Sequence, residues 1–452
     1  MVMGNEDMQR QSGAARLGGR AAILLAASAF FIAPAIFVAP AMAAPSQDND
    51  DPPVAGAGVV SFPMVNGRGW QLNAGVSTRY DTNISRFDGG DGFRITPQVQ
   101  GGVGIPLGRQ DLFFGGMVGR DFILGNDRIP NRNRFAAGGG VNWRLGQRCD
   151  GQIAGEYRQS LALFSEQIGF EDNVQSVRTI GGSANCRIGG AFGITGNVRY
   201  TDLQNSAPIQ RLFGNRGTSF TAGLTYGRPA LGQFSLTGSL DQRVFPNRPV
   251  LDTTATIVND GVDIISARLG YQRGLGSRLT VGAGVSYLTV KPQPSQQVVL
   301  IGDGLGFVVD RPSFSGVGFD GTLVLRAGTG LTLSLAGNRR AQSSANLGAL
   351  YTLTTAISAD VAYRLGRAIT VSAGGSFVRN DYRGSFANEL EGAARVNDKF
   401  ERIYGQIGYQ AGRLIDVTFE IAHQRRDSNP AIFSFSSTTA LLSLRASFGR
   451  TQ

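Results

Sequence analysis

One residue type dominates what this sequence could do chemically. Of its 43 basic residues only Lys291 and Lys399 are lysine, which leaves 41 arginines against 33 acids and a single histidine, His423. Arginine stays charged at any physiological pH and offers a planar fork to carboxylates and phosphates, so a large excess points to an anionic ligand. Nucleic acid is one such ligand, and the solute of an arginine-lined pore is another. Catalysis has less to work with. His423 falls near the outer end of a strand on a lipid-facing parity, whereas a catalytic histidine belongs on a lumen or rim face beside a serine and an acid. No P-loop, Cys-x-x-Cys or His-x-x-His spacing occurs. The run Gly302-Asp303-Gly304-Leu305-Gly306 lacks the strand–helix frame of a phosphate loop. No catalytic, metal or cofactor site is therefore expected. Two cysteines remain, Cys149 in the turn before a fifth strand and Cys186 near the end of a sixth. They share a facing parity at one end of a hairpin, and in an oxidising compartment they are expected to form a disulfide.

These residues have to be held by strands. From Trp70 onward apolar residues alternate with polar or very small ones, the period of a strand with two different faces. Trp70, Leu72, Ala74, Val76, Thr78 and Tyr80 make one such run. Phe135, Ala137, Gly139, Val141, Trp143 and Leu145 make another, and Ala440, Leu442, Leu444, Ala446 and Phe448 the last. About 18 segments of roughly 10–13 residues can be traced, the length that a tilted strand needs to cross a bilayer. The connections alternate as well. Pro106–Gln110, Gly189–Gly190, Gly366–Arg367 and Ala411–Arg413 are short, whereas Asp81–Gly92, Asn126–Asn133, Pro246–Asp260, Lys291–Pro312 and Arg383–Asp398 are long and polar. This pattern predicts an all-β, transmembrane antiparallel barrel with short periplasmic turns and long extracellular loops.

The N-terminus agrees with export. Arg10, Arg16 and Arg20 precede an apolar run from Ala21 to about Val38, and Ala41-Met42-Ala43 supplies a small-x-small cleavage pattern. The predicted organisation is a signal peptide over 1–43, a short periplasmic leader over 44–69, the barrel over 70–448 and a tail over 449–452. Cleavage near Ala43 removes three arginines and two acids, which takes the net charge from +10 to about +9. Export to the outer membrane of a Gram-negative cell separates the arginines from nucleic acid, which is accordingly excluded as a partner.

A membrane barrel turns its apolar parity to lipid and its polar parity to the lumen. The predicted lumen carries Arg79, Arg94, Arg144, Arg158, Arg199, Arg243, Arg268, Arg326, Arg340, Arg364, Arg402 and Arg445, with fewer acids at Glu156, Asp241, Asp320, Asp360 and Glu420. A charge at mid-depth on the lipid face costs about 2–4 kcal/mol, so lumenal placement follows whatever the function. Two readings of these arginines stay open: selection of anions, or bracing of the wall by pairing with the acids. At 16–18 strands the lumen is wide enough for water. The connection Lys291–Pro312 carries the apolar run Val298-Val299-Leu300-Ile301, which is expected to fold inward as a constriction.

The segment Val76-Ser77-Thr78-Arg79-Tyr80-Asp81-Thr82-Asn83-Ile84-Ser85-Arg86 resembles the Tyr-Asp-x-Asn-Ile signature of the putative β-barrel porin 2 family of proteobacteria. The resemblance implies a porin-like channel, in a family whose members often accompany exopolysaccharide or capsule genes. In strand count and arginine-rich lumen the chain is also similar to alginate-export porins. Its last strand, Leu442–Phe448, resembles an outer-membrane insertion signal, with four further residues after the closing aromatic. Expected partners are outer-membrane lipid and lipopolysaccharide, the barrel-assembly machinery, and small anions or an anionic polysaccharide. The leading expectation is a passive channel. A structural or adhesive barrel with a loop-blocked lumen is the alternative, and an outer-membrane enzyme stands third.

Overall fold

The structure, a computed structural model, describes residues 68–86, 90–125, 129–161, 173–301, 305–343, 349–383, 397–429 and 431–451. The expected signal peptide and the leader as far as residue 67 lie outside these residues.

Eighteen strands form one closed antiparallel sheet. In chain order the first eleven are β1 (Gly69–Asp81), β2 (Gly92–Leu107), β3 (Gln110–Leu124), β4 (Arg132–Leu145), β5 (Cys149–Leu161), β6 (Val174–Gly189), β7 (Phe192–Asn205), β8 (Asn215–Arg228), β9 (Gly232–Leu251), β10 (Ile257–Leu275) and β11 (Leu279–Gln293). The barrel continues with β14 (Phe314–Ala327), β15 (Leu331–Ser343), β16 (Tyr351–Leu365), β17 (Ile369–Arg383), β18 (Asn397–Ala411), β19 (Ile415–Asn429) and β20 (Phe435–Thr451). Between β11 and β14, β12 (Gln296–Ile301) and β13 (Leu305–Asp310) pair only with each other. Each barrel strand pairs with its neighbours in sequence, and β1 closes the ring on β20 over Gly69–Asp81. Closure leaves no edge, so the backbone groups of the wall are satisfied within it, as a bilayer requires. The ladder with β1 runs to Thr451, so residues 449–451, expected as a tail, are strand: Gly449, Arg450 and Thr451 sit opposite Gln71, Trp70 and Gly69.

At the end that holds Gly69 and Thr451, eight turns of two or three residues join the strands. At the opposite, distal end stand nine connections of five residues or more. The outward parity is apolar and exposed through the terminal and middle parts of the wall, as at Leu72 and Val76, Leu269 and Ile265, Ile407 and Ile403, and Leu444 and Leu442. An exposed apolar surface that runs around a whole barrel is a lipid-facing surface. Toward the distal end the same parity turns polar within one or two residues, at Arg120, Asp202, Arg216, Gln242, Asp263, Arg339, Arg379, Glu401 and His423. The strands nevertheless continue, so the wall outlasts its apolar band. This is why β9, β10 and β11 run through residues 246–251, 257–260 and 291–293, where the sequence suggested loops.

The Tyr-Asp-x-Asn-Ile segment lies at the distal end of the β1–β20 seam. The Asp81 carboxylate is buried and accepts bonds from the Asn83 backbone N–H (2.9 Å), Arg86 (2.8 Å) and the Ser437 hydroxyl of β20. The Asn83 amide donates to the Ser436 carbonyl at 3.3 Å, and Thr82 exchanges two bonds with Thr438. Arg86 adopts a left-handed backbone (φ 64°), held by its bonds to Asp81 and to the Asn83 carbonyl, and its guanidinium lies over the Phe435 ring. Ile84 packs with Ile123 and Ile129. The signature residues thus tie the first strand to the last where the ring closes.

Cys149 and Cys186 are cross-strand partners on β5 and β6 with Cα atoms 4.1 Å apart, joined as a disulfide. Cys149 is the first residue of β5 rather than part of the turn before it.

Candidate functional site

The twelve arginines all occupy the polar parity of their strands, opposite in phase to the exposed apolar residues, which places them on the lumen wall. The acids divide them. Arg268 of β10 forms a two-pronged pair with Asp320 of β14, both bonds 2.6 Å, across the intervening strand β11. The crossing depends on Gly284, because a Cβ there would stand 2.6 Å from an Asp320 oxygen. Arg402 pairs with Glu420 at 2.6 Å and lies over the Tyr404 ring, whose hydroxyl donates to Asp360 at 2.6 Å. Arg243 meets Asp241 at 3.3 Å and donates to the Asn215 side chain at 3.1 Å. Charge-assisted, forked bonds of this kind fix side-chain direction as well as adding energy. For these three arginines the bracing reading describes what the side chains do.

The remaining arginines are arranged differently. Arg79 and Arg94 face each other directly across β1 and β2. Arg158 stands between Ala136 and Val177 of its neighbours, two residues from Glu156 on the same face. Arg199 sits opposite Gly181 and Ser219. Arg144, Arg326, Arg364 and Arg445 lie toward the terminal end with exposed side chains. Among the described residues, no acid lies within ion-pair distance of Arg144, Arg326, Arg340 or Arg445. The terminal half of the lumen therefore presents guanidinium groups to water, with Asp150 opposite Arg144 and Asp416 opposite Arg445 in the ladder.

Other charged residues of the distal half escaped the sequence reading. Arg134 pairs with Asp121 at 2.6 Å, and Thr96 donates to the same carboxylate at 2.6 Å. Arg426 pairs with Asp398 at 2.8 Å, where the Tyr382 hydroxyl also donates at 2.8 Å. Arg248 and Arg311 both converge on the fully buried Asp260. The first two groups have the parity of the lumen arginines on their strands, and extending the alternation past the last apolar residue would have found them. The third includes Arg248, in an irregularity of β9, and Arg311, in a connection, where parity carries no information.

The distal inward positions are buried, including Asp121, Thr352, Asp398, Gln424 and Ser437, whereas terminal ones such as Arg144, Asp150, Arg326 and Arg445 are exposed. The lumen is thus open toward the termini and filled toward the distal end. Of the constriction expected from Lys291–Pro312, the run that would form it lies mostly outside the described residues. That connection forms the β12–β13 hairpin, whose successive residues Phe307 and Val308, on opposite faces, are both exposed. The side chains of residues 299–301 and the run from Gly302 to Gly304 lie outside the described residues. His423 faces outward in the polar collar, with Nδ1 3.0 Å from the Thr438 hydroxyl.

Several solved outer-membrane proteins are similar in fold. The outer membrane protein OpdK of Pseudomonas aeruginosa is 11% identical over 84% of this chain and 99% of its own, with a TM-score of 0.44. OccK2 (OpdF) of Pseudomonas aeruginosa, solved in complex with glucuronate, is 13% identical over 84% of this chain and 96% of its own, with a TM-score of 0.44. A BenF-like porin from Pseudomonas fluorescens Pf-5 is 12% identical over 84% and 99%, with a TM-score of 0.46. No curated protein sequence matches the chain. Residues 311–448, which run from just before β14 into β20, match the model of the family described as putative beta-barrel porin 2, the family that Val76–Arg86 resembles at the other end of the chain.

Proposed function

We propose that the chain is a passive outer-membrane channel whose arginine-rich wall favours anionic solutes, either small anions or segments of an acidic surface polysaccharide. The observation that carries this reading is the set of exposed arginines in the open half of the lumen, Arg144, Arg326, Arg364 and Arg445, which outnumber the acids Asp111, Asp150 and Asp416 on the same face. A ring of fixed cations lowers the cost of an entering anion and raises that of a cation. The 18-strand ring supports it, because barrels of this size leave room for water. In this reading the short turns face the periplasm and the distal connections face outward, where lipopolysaccharide surrounds the polar collar. Phe448 and the strand it closes serve the assembly machinery, and the chain is released from its signal peptide near Ala43.

Proteoliposomes test the reading by swelling. A sugar acid is expected to enter faster than a neutral sugar of equal size, and an amino sugar slower. Equal rates for all three would remove the anion preference. The buried distal half favours one second reading, a structural barrel closed by its own side chains, for which no solute would cause swelling.

A further inference from the structure

The top of the β14–β15 ladder departs from the rest of the barrel. The two strands pair from Ala327↔Leu331 up to Phe319↔Arg339 and no further, although β14 continues to Phe314 and β15 to Ser343. Beyond that point β15 leaves the wall. Its Cα atoms come within 8 Å of β11 and of β10, from which β14 and β11 should separate it by three strand spacings, about 14 Å. Only a path across the inner surface of the barrel brings β15 that close. The side chains agree. Tyr351 and Leu353 of β16 and Ala341 of β15 have the parity that faces lipid elsewhere on those strands, yet Tyr351 and Leu353 are only 2% and 5% exposed. They form one apolar cluster with Phe245, Val262, Ile264 and Val290, all inward-facing residues of β9, β10 and β11. The Phe314 ring stands 6.5 Å from that of Tyr351. The outer face of the β15–β16 tip is therefore packed on the inner face of the opposing wall.

We infer that the described tips of β15 and β16, residues 340–343 and 349–354, form a fixed inward strap that narrows the lumen, and that Arg340 is the residue it sets in the path of a negatively charged solute. The second part rests on the channel reading proposed above. With its outer face against β9–β11, the strap turns its other face, which carries Arg340, toward the remaining lumen. Two polar atoms on this face lack partners: the Arg340 Nε, a donor, and the Oδ1 of Asn338 two residues below it, an acceptor. Both atoms are buried, so a solute would meet the exposed part of the Arg340 side chain.

Cysteine substitution tests both parts, because the native cysteines are already joined as a disulfide. In Leu353→Cys the thiol is expected to resist a membrane-impermeant maleimide, while Lys399→Cys on the polar collar reacts. Rapid labelling of both would overturn the strap. In Arg340→Cys a negatively charged thiosulfonate is expected to lower single-channel current and move the reversal potential toward cation selectivity, and a positively charged one to restore the anion preference. Complete labelling with neither change would remove Arg340 from the path. A protein that passes no current yet protects Leu353→Cys would defeat the channel reading, and Arg340's role with it, while upholding the strap.

Discussion

Asp81 shows how much a single side chain can hold at the seam. Its carboxylate gathers a turn N–H, a guanidinium and a hydroxyl from the opposite end of the chain. Hydrogen bonds to a buried charge are each worth about 1.5–3 kcal/mol, and removing the carboxylate strands Arg86 in a left-handed conformation with a lost partner. Asp81→Ala is expected to lower the barrel's unfolding midpoint by the equivalent of about 2–3 kcal/mol, read from the heat-dependent mobility of the folded form on a gel, whereas Asp91→Ala at the start of β2's approach should change it little. The sequence showed Asp81 only as one letter of a family signature. Its partner Ser437, like Ser436 and Thr438 that bond Asn83 and Thr82, is more than 350 residues away, and nothing local announces it. The lumen arginines were more legible, because one parity rule places a charge wherever its neighbours i±1 must face lipid. What the rule cannot see is which arginines find acids: the Arg268–Asp320 pair spans an intervening strand and depends on Gly284 between them.

Strand length is decided by two different requirements. The apolar band fixes how much of each strand lies in lipid, and the ladder fixes how far the strand goes on. Alternation reads the first and not the second, which is why β9 extends to Leu251 and β11 to Gln293 through proline-containing stretches that do not alternate. The same logic hides the strap, since Tyr351 and Leu353 keep the pattern of lipid-facing residues while the strand that bears them has crossed to the inside. The band itself is open to test on one strand. Val285→Arg, at an outward position of β11 that is 59% exposed, should cost about 2–4 kcal/mol of folding free energy in lipid, and Thr289→Arg, two outward residues nearer the distal end, about 0–1 kcal/mol. Equal costs, measured by urea unfolding in vesicles, would mean that the collar is not at the membrane boundary. The disulfide makes an element-scale prediction too. It closes a separation of 37 residues between adjacent strands, for which the chain-entropy estimate is about 3.8 kcal/mol as an upper value. Cys149→Ser with Cys186→Ser should still insert but unfold at lower denaturant concentration, and an unchanged midpoint would show that the β5–β6 ladder alone sets the stability there.

At the scale of the whole molecule, the barrel is a wall of even strand number whose two halves differ. Toward the termini the lumen is open and carries exposed arginines, and toward the distal end it is filled by paired charges and by the strap. A solute moving through such a structure would meet arginines interspersed with fewer acids over the open half and a tight polar fit over the other. The most direct measurement is the reversal potential of the purified protein in a planar bilayer separating two concentrations of potassium chloride. The account predicts a potential set by chloride, reduced in the combined variant Arg158→Ser, Arg243→Ser, Arg326→Ser. A potential set by potassium, or one that the three substitutions leave unchanged, would contradict it.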